Sequence, residues 1–161
     1  MRNFFILVLL LIIPDYSLAV GQLDNKNALQ GVTEAKAVFD INQGDPAILK
    51  TRLQLIERTY NQLKTANTSP KFVLTFRGQA SYFLTTGKKY VAEKDHEIKL
   101  EIKTLVERLK LLGLPLEQCA IAAGMAKIST DDFLPQIKVV ANGYTSLIGY
   151  QNKGYAFIPM E

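Results

Sequence analysis

The segment KFVLTFRG at residues 71–78 decides the fold class of this chain. Between Phe72 and Phe76 it is almost continuously apolar, with Thr75 as the one polar residue. A strand of this composition is covered on both faces, which is typical of a parallel sheet flanked by helices. Arg77 and Gly78 end the run. The segment therefore predicts an interior strand of an α/β domain.

An amphipathic helix is predicted on each side of this strand. The first has Asp45 as its N-terminal cap and Pro46 at its first position, where the missing backbone N–H of proline does no harm. The second begins near Asp95 and ends at Gly113. In each helix the apolar residues recur at steps of four and three, which places them on one face. They are Leu49, Leu53, Ile56, Tyr60 and Leu63 in the first, and Ile98, Ile102, Leu105, Leu109 and Leu112 in the second.

Strand-like and helix-like segments alternate along the rest of the chain. Further strands are predicted at residues 35–41, 115–119, 137–141 and 155–159. Shorter helices are predicted after residue 119, from residue 129, and from residue 143 to about 154. Such alternation predicts a largely parallel sheet with helices on both faces. The connection from Arg77 to Lys94 has no regular pattern, which leaves a binding loop and an ordinary surface loop as equal alternatives.

The N-terminus has the pattern of a cleavable signal peptide. Arg2 precedes an unbroken apolar run at residues 4–13, which is about half of the ~20 residues needed to cross a bilayer. A signal peptide is therefore favoured over a retained membrane anchor or a buried helix. Small residues at Ser17 and Ala19 predict cleavage after Ala19, with the mature protein periplasmic or secreted and without a stable membrane anchor. The predicted divisions are a signal peptide at 1–19, a flexible lead-in at 20–34 and a single domain at 35–161.

Charge and motif content exclude several classes of function. The net charge of +4 is dispersed along the chain, so nucleic acid is not expected as a partner, whereas small anions are plausible ligands. No serine-nucleophile, phosphate-loop or dinucleotide motif is present, which argues against common hydrolases, kinases and dehydrogenases. The single histidine, His96, is expected at an exposed helix N-terminus. One cysteine and one histidine do not by themselves make a metal site, so no metal is predicted.

Cys119 is the only cysteine, and it ends a predicted strand. It has no partner for an internal disulfide, so it is either a buried packing residue or a free thiol with a function. In an open α/β sheet, functional groups gather at the carboxyl ends of the strands. Backbone N–H groups of the following turn would stabilise a thiolate there, and a thiolate is the species that attacks sulfur.

Two other strand ends are predicted to lie at the same edge. Arg77 and Gly78 follow the strand at residues 71–76, and Asn142 and Gly143 follow the strand at residues 137–141. Gly143 would let the backbone approach a ligand closely, although the pair is also typical of a simple turn. We therefore treat these four residues as candidate binding residues beside Cys119.

The order of several short motifs resembles the DsrE/DsrF-like family of sulfur-relay proteins. The motifs are residues 37–41 (AVFDI), 76–78 (FRG), 111–113 (LLG) ahead of Gln118 and Cys119, 137–143 (IKVVANG) and 151–155 (QNKGY). The resemblance covers residues 35–160. It implies a three-layer α/β/α fold with a five-stranded sheet, and assembly into homo-oligomers or with related family subunits. It also implies a cysteine that carries sulfur as a persulfide, and the matching residue is Cys119.

Three hypotheses follow. In the first, Cys119 takes sulfane sulfur from a donor and yields it to an acceptor thiol, without a cofactor. Its partners would be a thiol or persulfide protein or a small anionic sulfur compound. In the second, the protein is a non-catalytic oligomeric binding or assembly module, and Cys119 is structural. In the third, Cys119 is a redox sensor or peroxidase thiol that forms a sulfenic acid and an intersubunit disulfide.

Overall fold

The computed structural model describes residues 23–161, and the chain divides into two units, residues 1–30 and residues 31–161. The predicted signal peptide and its cleavage site lie outside the described residues, so cleavage and export stay predictions. In the described part of the first unit, one helical turn, α1 (Lys26–Leu29), lies within the segment predicted to be a flexible lead-in. No helix in residues 23–161 is both long enough and apolar enough to cross a membrane.

Five strands form one sheet in the second unit. They are β1 (Glu34–Ile41), β2 (Ser69–Phe76), β3 (Leu116–Cys119), β4 (Lys138–Val140) and β5 (Ala156–Met160). The order across the sheet is β4-β3-β2-β1-β5, and every neighbouring pair is parallel. The α/β fold with a five-stranded sheet is therefore confirmed, and the sheet is parallel throughout. β2 lies in the centre of the sheet, as its apolar sequence predicts.

Two long helices, α2 (Pro46–Thr65) and α3 (His96–Leu111), pack side by side on one face of the sheet. The apolar stripe of α2 is buried as predicted, with Leu49, Leu53 and Ile56 inaccessible to solvent. The main hydrophobic core forms between these helices and alternate residues of the strands. Its strand residues include Phe39, Ile41, Phe72, Leu74 and Phe76.

One helix, α5 (Gly143–Asn152), packs on the opposite face of the sheet. Val38 and Val73, which are register partners on β1 and β2, form a second small core with Leu147 of α5. Side chains alternate between the two faces along a strand. Consequently Asp40, Thr75 and residues 117 and 119 of β3 also point toward the α5 face.

Helix and strand boundaries agree with the sequence prediction to within a residue or two, but two connections differ. The irregular stretch after β2 contains a turn of 3-10 helix, Gly78–Leu84, whose Ala80, Ser81, Phe83 and Leu84 are buried. The helix predicted from residue 129 is only a single 3-10 turn, Thr130–Asp132. It ends because Phe133 leaves the turn with extended backbone and forms an isolated antiparallel bridge with Thr85.

A buried lysine fixes the irregular stretch to α3. The Nζ of Lys99 donates hydrogen bonds to Thr85 Oγ1 at 2.6 Å and to the carbonyl oxygen of Gly87 at 2.7 Å. Burial lowers the pKa of Lys99 from its usual range. The contact explains why this long connection packs on the domain instead of extending from it.

The N-terminal cap of α2 can be tested by mutation. Asp45 Oδ1 accepts hydrogen bonds from the backbone N–H groups of Ala47 at 2.8 Å and Ile48 at 3.0 Å. Asp45→Ala is expected to lower the free energy of unfolding by about 1 kcal/mol, because these N–H groups lose their acceptor. Asp45→Asn keeps an acceptor and should lie near wild type in urea unfolding. Equal stability of the alanine and asparagine variants would show that the cap does not contribute.

Candidate functional site

Cys119 is the last residue of β3 and the N-terminal cap of the short helix α4 (Ala120–Met125). Its backbone is extended, with φ −71° and ψ 118°. The structure places Cys119 at the strand end, where the sequence predicts it. The side chain is a free thiol, and the residue is only 4 % exposed.

A cavity of about 330 Å³ lies beside Cys119. Three of the candidate binding residues, Arg77, Gly78 and Asn142, line this cavity together with Cys119. They meet because β2, β3 and β4 run in the same direction and end at one edge of the sheet. We call this space the thiol cavity.

The fourth candidate, Gly143, packs directly behind the thiol. A Cβ atom at this position would lie 3.0 Å from Cys119 Cβ, 3.2 Å from Thr75 Cγ2 and 3.5 Å from Cys119 Sγ. Gly143 therefore lies close to Cys119 and Thr75, and the approach of a ligand to its backbone stays a prediction. Asn142 Oδ1 accepts a hydrogen bond from the backbone N–H of Tyr144 at 2.9 Å, which starts α5 at this point.

Arg77 is held by a buried carboxylate. Its Nε and one terminal nitrogen donate to the two carboxylate oxygens of Asp40, both at 2.7 Å, and Asp40 is 5 % exposed. This hydrogen bonding raises the pKa of Arg77. The guanidinium carbon lies 5.1 Å from the centre of the Tyr144 ring. The guanidinium is thus fixed in position at the thiol cavity, with its charge largely balanced by Asp40.

Gly78 makes the turn from β2 into the 3-10 segment possible. Its φ of +57° lies in the left-handed region, which residues with a Cβ rarely adopt. On the far side of the thiol cavity, Ile121 and Met125 of α4 are exposed, which gives the opening an apolar rim.

Gln118 positions the end of β3 from the opposite face of the sheet. It is fully buried, and its Nε2 donates to Ser81 Oγ at 2.9 Å and to the carbonyl oxygen of Cys119 at 3.0 Å. Sequence reasoning did not assign a role to Gln118 or to Asp40. For Asp40 the available signal was a charged residue inside the apolar part of β1, whereas Gln118 follows Glu117 in a strand that is half polar and offered no such signal.

A second cavity, of about 370 Å³, lies between α5 and the β3–β4 edge. We call it the carboxylate cavity because Glu117 lines it. The hydroxyl of Tyr150 donates to Glu117 Oε1 at 3.0 Å. Burial and the neighbouring Glu117 carboxylate raise the pKa of Tyr150 to about 12. Asn142 lines both cavities, so the two spaces are neighbours. No local pattern in the sequence predicts this cavity.

Two remaining features are His96 and the possible metal ligands. His96 is the first residue of α3, as predicted, and is half-buried rather than fully exposed. In residues 23–161, no group of three or more His, Cys, Asp or Glu side chains is arranged to hold a metal ion.

Comparison with known proteins identifies the family. Residues 36–160 match the DsrE/DsrF-like family. The chain belongs to this family. Membership of the DsrE/DsrF-like family indicates sulfur relay as the general function at the level of the family. The resemblance drawn from the sequence is therefore confirmed.

The relatives of this DsrE/DsrF-like chain support the fold. An uncharacterized protein of Aquifex aeolicus (strain VF5) is 33 % identical over 128 residues, which are 77 % of this chain and 55 % of the relative. The chain thus spans about half the length of that curated relative.

Two solved structures have the same fold. The MTH1491 protein of Methanobacterium thermoautotrophicum, described as being of unknown function, has a TM-score of 0.62 and 18 % identity, covering 78 % of this chain and 98 % of its own. The ychN protein of E. coli has a TM-score of 0.58 and 16 % identity, with the same coverage.

The contact between Gly143 and Cys119 yields a test with an internal control. Gly143→Ala should lower the free energy of unfolding by about 1–3 kcal/mol, because the added methyl group overpacks against Cys119 and Thr75. Gly149→Ala lies in the same helix, where the new Cβ meets nothing within 4 Å, and should raise stability by roughly 0.5–1 kcal/mol. Urea unfolding of both variants measures the difference. Similar effects of the two substitutions would contradict the close contact.

The raised pKa of Tyr150 predicts a loss of stability at alkaline pH. An unfolded chain ionises its tyrosines near pH 10, whereas folded Tyr150 stays protonated to about 12. The unfolded state therefore binds fewer protons between these values, and the stabilisation present below pH 10 declines as the pH rises toward 12. Tyr150→Phe should lack this component in unfolding measurements from pH 9 to 12. An identical pH dependence in both proteins would show that Tyr150 titrates normally.

Proposed function

We propose that this protein is a sulfur carrier in which Cys119 holds sulfane sulfur as a persulfide. The observation that carries the proposal is the position of the thiol, which lines a cavity shared with Arg77 and Asn142. Family membership supports sulfur relay in general, and Cys119 is the one residue in the chain able to carry a persulfide. No cofactor is needed for this chemistry.

The reaction is an exchange between sulfur atoms. The Cys119 thiolate attacks the outer sulfur of a donor persulfide, the donor's own S–S bond breaks, and the donor thiolate leaves. A Cys119 persulfide remains, and an acceptor thiolate removes its outer sulfur by the same step in reverse. Each step forms one S–S bond and breaks another, so no oxidant or reductant is consumed.

Arg77 and the size of the thiol cavity favour certain donors. A fixed guanidinium next to the thiol favours anionic sulfur compounds, because Asp40 accepts from only part of its five N–H groups. A space of about 330 Å³ suits a small molecule or the tip of a protein segment. A small anionic sulfur compound, or a partner protein that inserts its thiol, is the proposed donor or acceptor.

The proposals for partners and location come from exposed apolar side chains and from the N-terminal apolar segment. The exposed apolar side chains of Ile121 and Met125 at the rim of the thiol cavity support contact with a second protein, either another copy of this chain or a related family subunit. The apolar segment at residues 4–13 supports export to the periplasm or beyond the cell.

The burial of Cys119 supports a second candidate function. A thiol that is 4 % exposed and packed against Gly143 is also what a structural cysteine in an assembly module requires. The two functions differ in one property, which is the reactivity of the thiol in the folded protein.

Mass spectrometry of the intact protein separates these functions. After incubation with a sulfane sulfur donor, the wild-type protein should gain one sulfur atom that a reductant removes, and Cys119→Ala should gain none. The wild-type protein unfolded in urea provides the control for a fully accessible thiol. Labelling of the unfolded protein alone would leave Cys119 as a structural residue and overturn the carrier function.

A further inference from the structure

Glu117 is a buried residue in which one of the two carboxylate oxygens accepts a hydrogen bond. The residue is 9 % exposed and points toward the α5 face of the sheet. Tyr150 donates to Oε1, whereas Oε2 has no hydrogen-bond partner within residues 23–161. Among the described residues, no lysine or arginine nitrogen lies within 4 Å of this carboxylate. A buried charge without a full set of partners costs several kcal/mol, so a donor from outside the chain would be strongly favoured here.

The surroundings of Glu117 fit a cationic hydrogen-bond donor. The carboxylate cavity is lined by Glu117 and by the hydroxyl-bearing side chains of Thr145, Ser146 and Tyr150. Lys153 also lines the cavity, but its Nζ lies over the Tyr150 ring, 5.7 Å from the ring centre. Lys138 is the register partner of Glu117 on β4, and its side chain is exposed. Neither lysine forms an ion pair with the carboxylate, which leaves it available to a ligand.

The carboxylate cavity adjoins the proposed sulfur site. Glu117 and Cys119 are two residues apart on β3, so they share one face of the sheet at a separation of about 7 Å along the strand. Asn142 lines the cavities of both residues. A short molecule with a positive group at one end and sulfur at the other matches this spacing.

From this arrangement we infer that the carboxylate cavity binds the ammonium group of a small aminothiol, and that the sulfur donor of this protein is the persulfide of such a compound. Glu117 accepts the N–H groups of the ammonium while the donor sulfur lies at Cys119. The inference rests on the proposed role of Cys119. It narrows the proposed small sulfur compound to one whose sulfur end can be anionic, as Arg77 favours, and whose other end is an ammonium.

The charge of the ammonium also assists the reaction. The Glu117 carboxylate lies on the same face of the strand as the anion that forms on Cys119, so like charges meet there, and a bound ammonium offsets that repulsion. In the transfer, Cys119–S⁻ attacks the outer sulfur of R–S–SH. The S–S bond between the inner and the outer sulfur breaks, the proton stays on the transferred sulfur, and R–S⁻ departs as the aminothiolate. The positive charge of the ammonium therefore has two effects. It binds the donor at Glu117, and it makes sulfur transfer faster than from a donor without an amine.

A binding experiment without sulfur chemistry tests the ammonium site. Cysteamine and 2-mercaptoethanol differ only in carrying an ammonium or a hydroxyl group, and each is titrated into Cys119→Ser protein while backbone amide NMR shifts are recorded. Cysteamine should shift residues around Glu117 and Tyr150 in a saturable way, and 2-mercaptoethanol should not. Glu117→Gln should weaken cysteamine binding about tenfold or more, whereas Glu97→Gln, on exposed α3 surface, should not.

The comparison of the two probes needs no substitution at Glu117, so it decides the matter even if Glu117→Gln does not fold. Equal shifts from both probes, or no saturable shift from cysteamine, overturn the inference.

A transfer experiment separates this inference from the carrier function. Wild-type protein is treated with the persulfide of each probe, and the rate of sulfur gain on Cys119 is followed by intact mass. The amine donor should react about tenfold faster or more, and Glu117→Gln should lose that preference. Equal rates overturn the inference and leave the carrier function in place. Cysteamine binding without sulfur gain from either donor overturns the carrier function and leaves the ammonium site in place.

Discussion

The contact of Gly143 with the end of β3 is the constraint on which the functional edge of this protein depends. Helix α5 packs on one face of the sheet. It starts where its backbone lies so near the sheet that an added Cβ at Gly143 would be 3.0 Å from Cys119 Cβ and 3.2 Å from Thr75 Cγ2. That approach forms one wall of the thiol cavity through Asn142 and Tyr144. The continuation of the same helix forms a wall of the carboxylate cavity. A helix displaced by a bulkier residue would change both spaces together.

The α5 face contains polar groups that a purely structural sheet would not need. Both carboxylate oxygens of Asp40 accept hydrogen bonds from Arg77. Among residues 23–161, Glu117 Oε2 and the buried Thr75 hydroxyl have no hydrogen-bond partner. A buried polar group without a partner reduces stability, so its presence needs an explanation, and binding of a ligand is one. The opposite face, covered by α2 and α3, is mainly apolar, with the fully buried Gln118 at the end of β3 as its polar exception.

Comparison with the solved structures separates fold from site. Identities of 16–18 % with TM-scores of 0.58–0.62 show that the parallel sheet and its helices persist while most side chains differ. The fold therefore supplies an edge at which strand ends and helix starts converge. A shared fold does not establish a shared site, so the roles of Asp40, Arg77, Glu117 and Cys119 are argued from their contacts in this chain.

The sequence by itself determined the order of strands and helices, the parallel sheet and the edge that holds Arg77, Gly78, Cys119 and Asn142. These features follow from local apolar periodicity and from the rule that parallel strands end at a common edge. Only the tertiary structure decided that Cys119 is buried against Gly143, that Asp40 holds Arg77 and that Tyr150 reaches Glu117. The last two pairs are separated by 37 and 33 residues in the chain, and their contacts depend on how helices pack against strands. No local sequence pattern predicts these contacts, because a hydrogen bond between residues far apart in the chain produces no periodic signal in a single sequence.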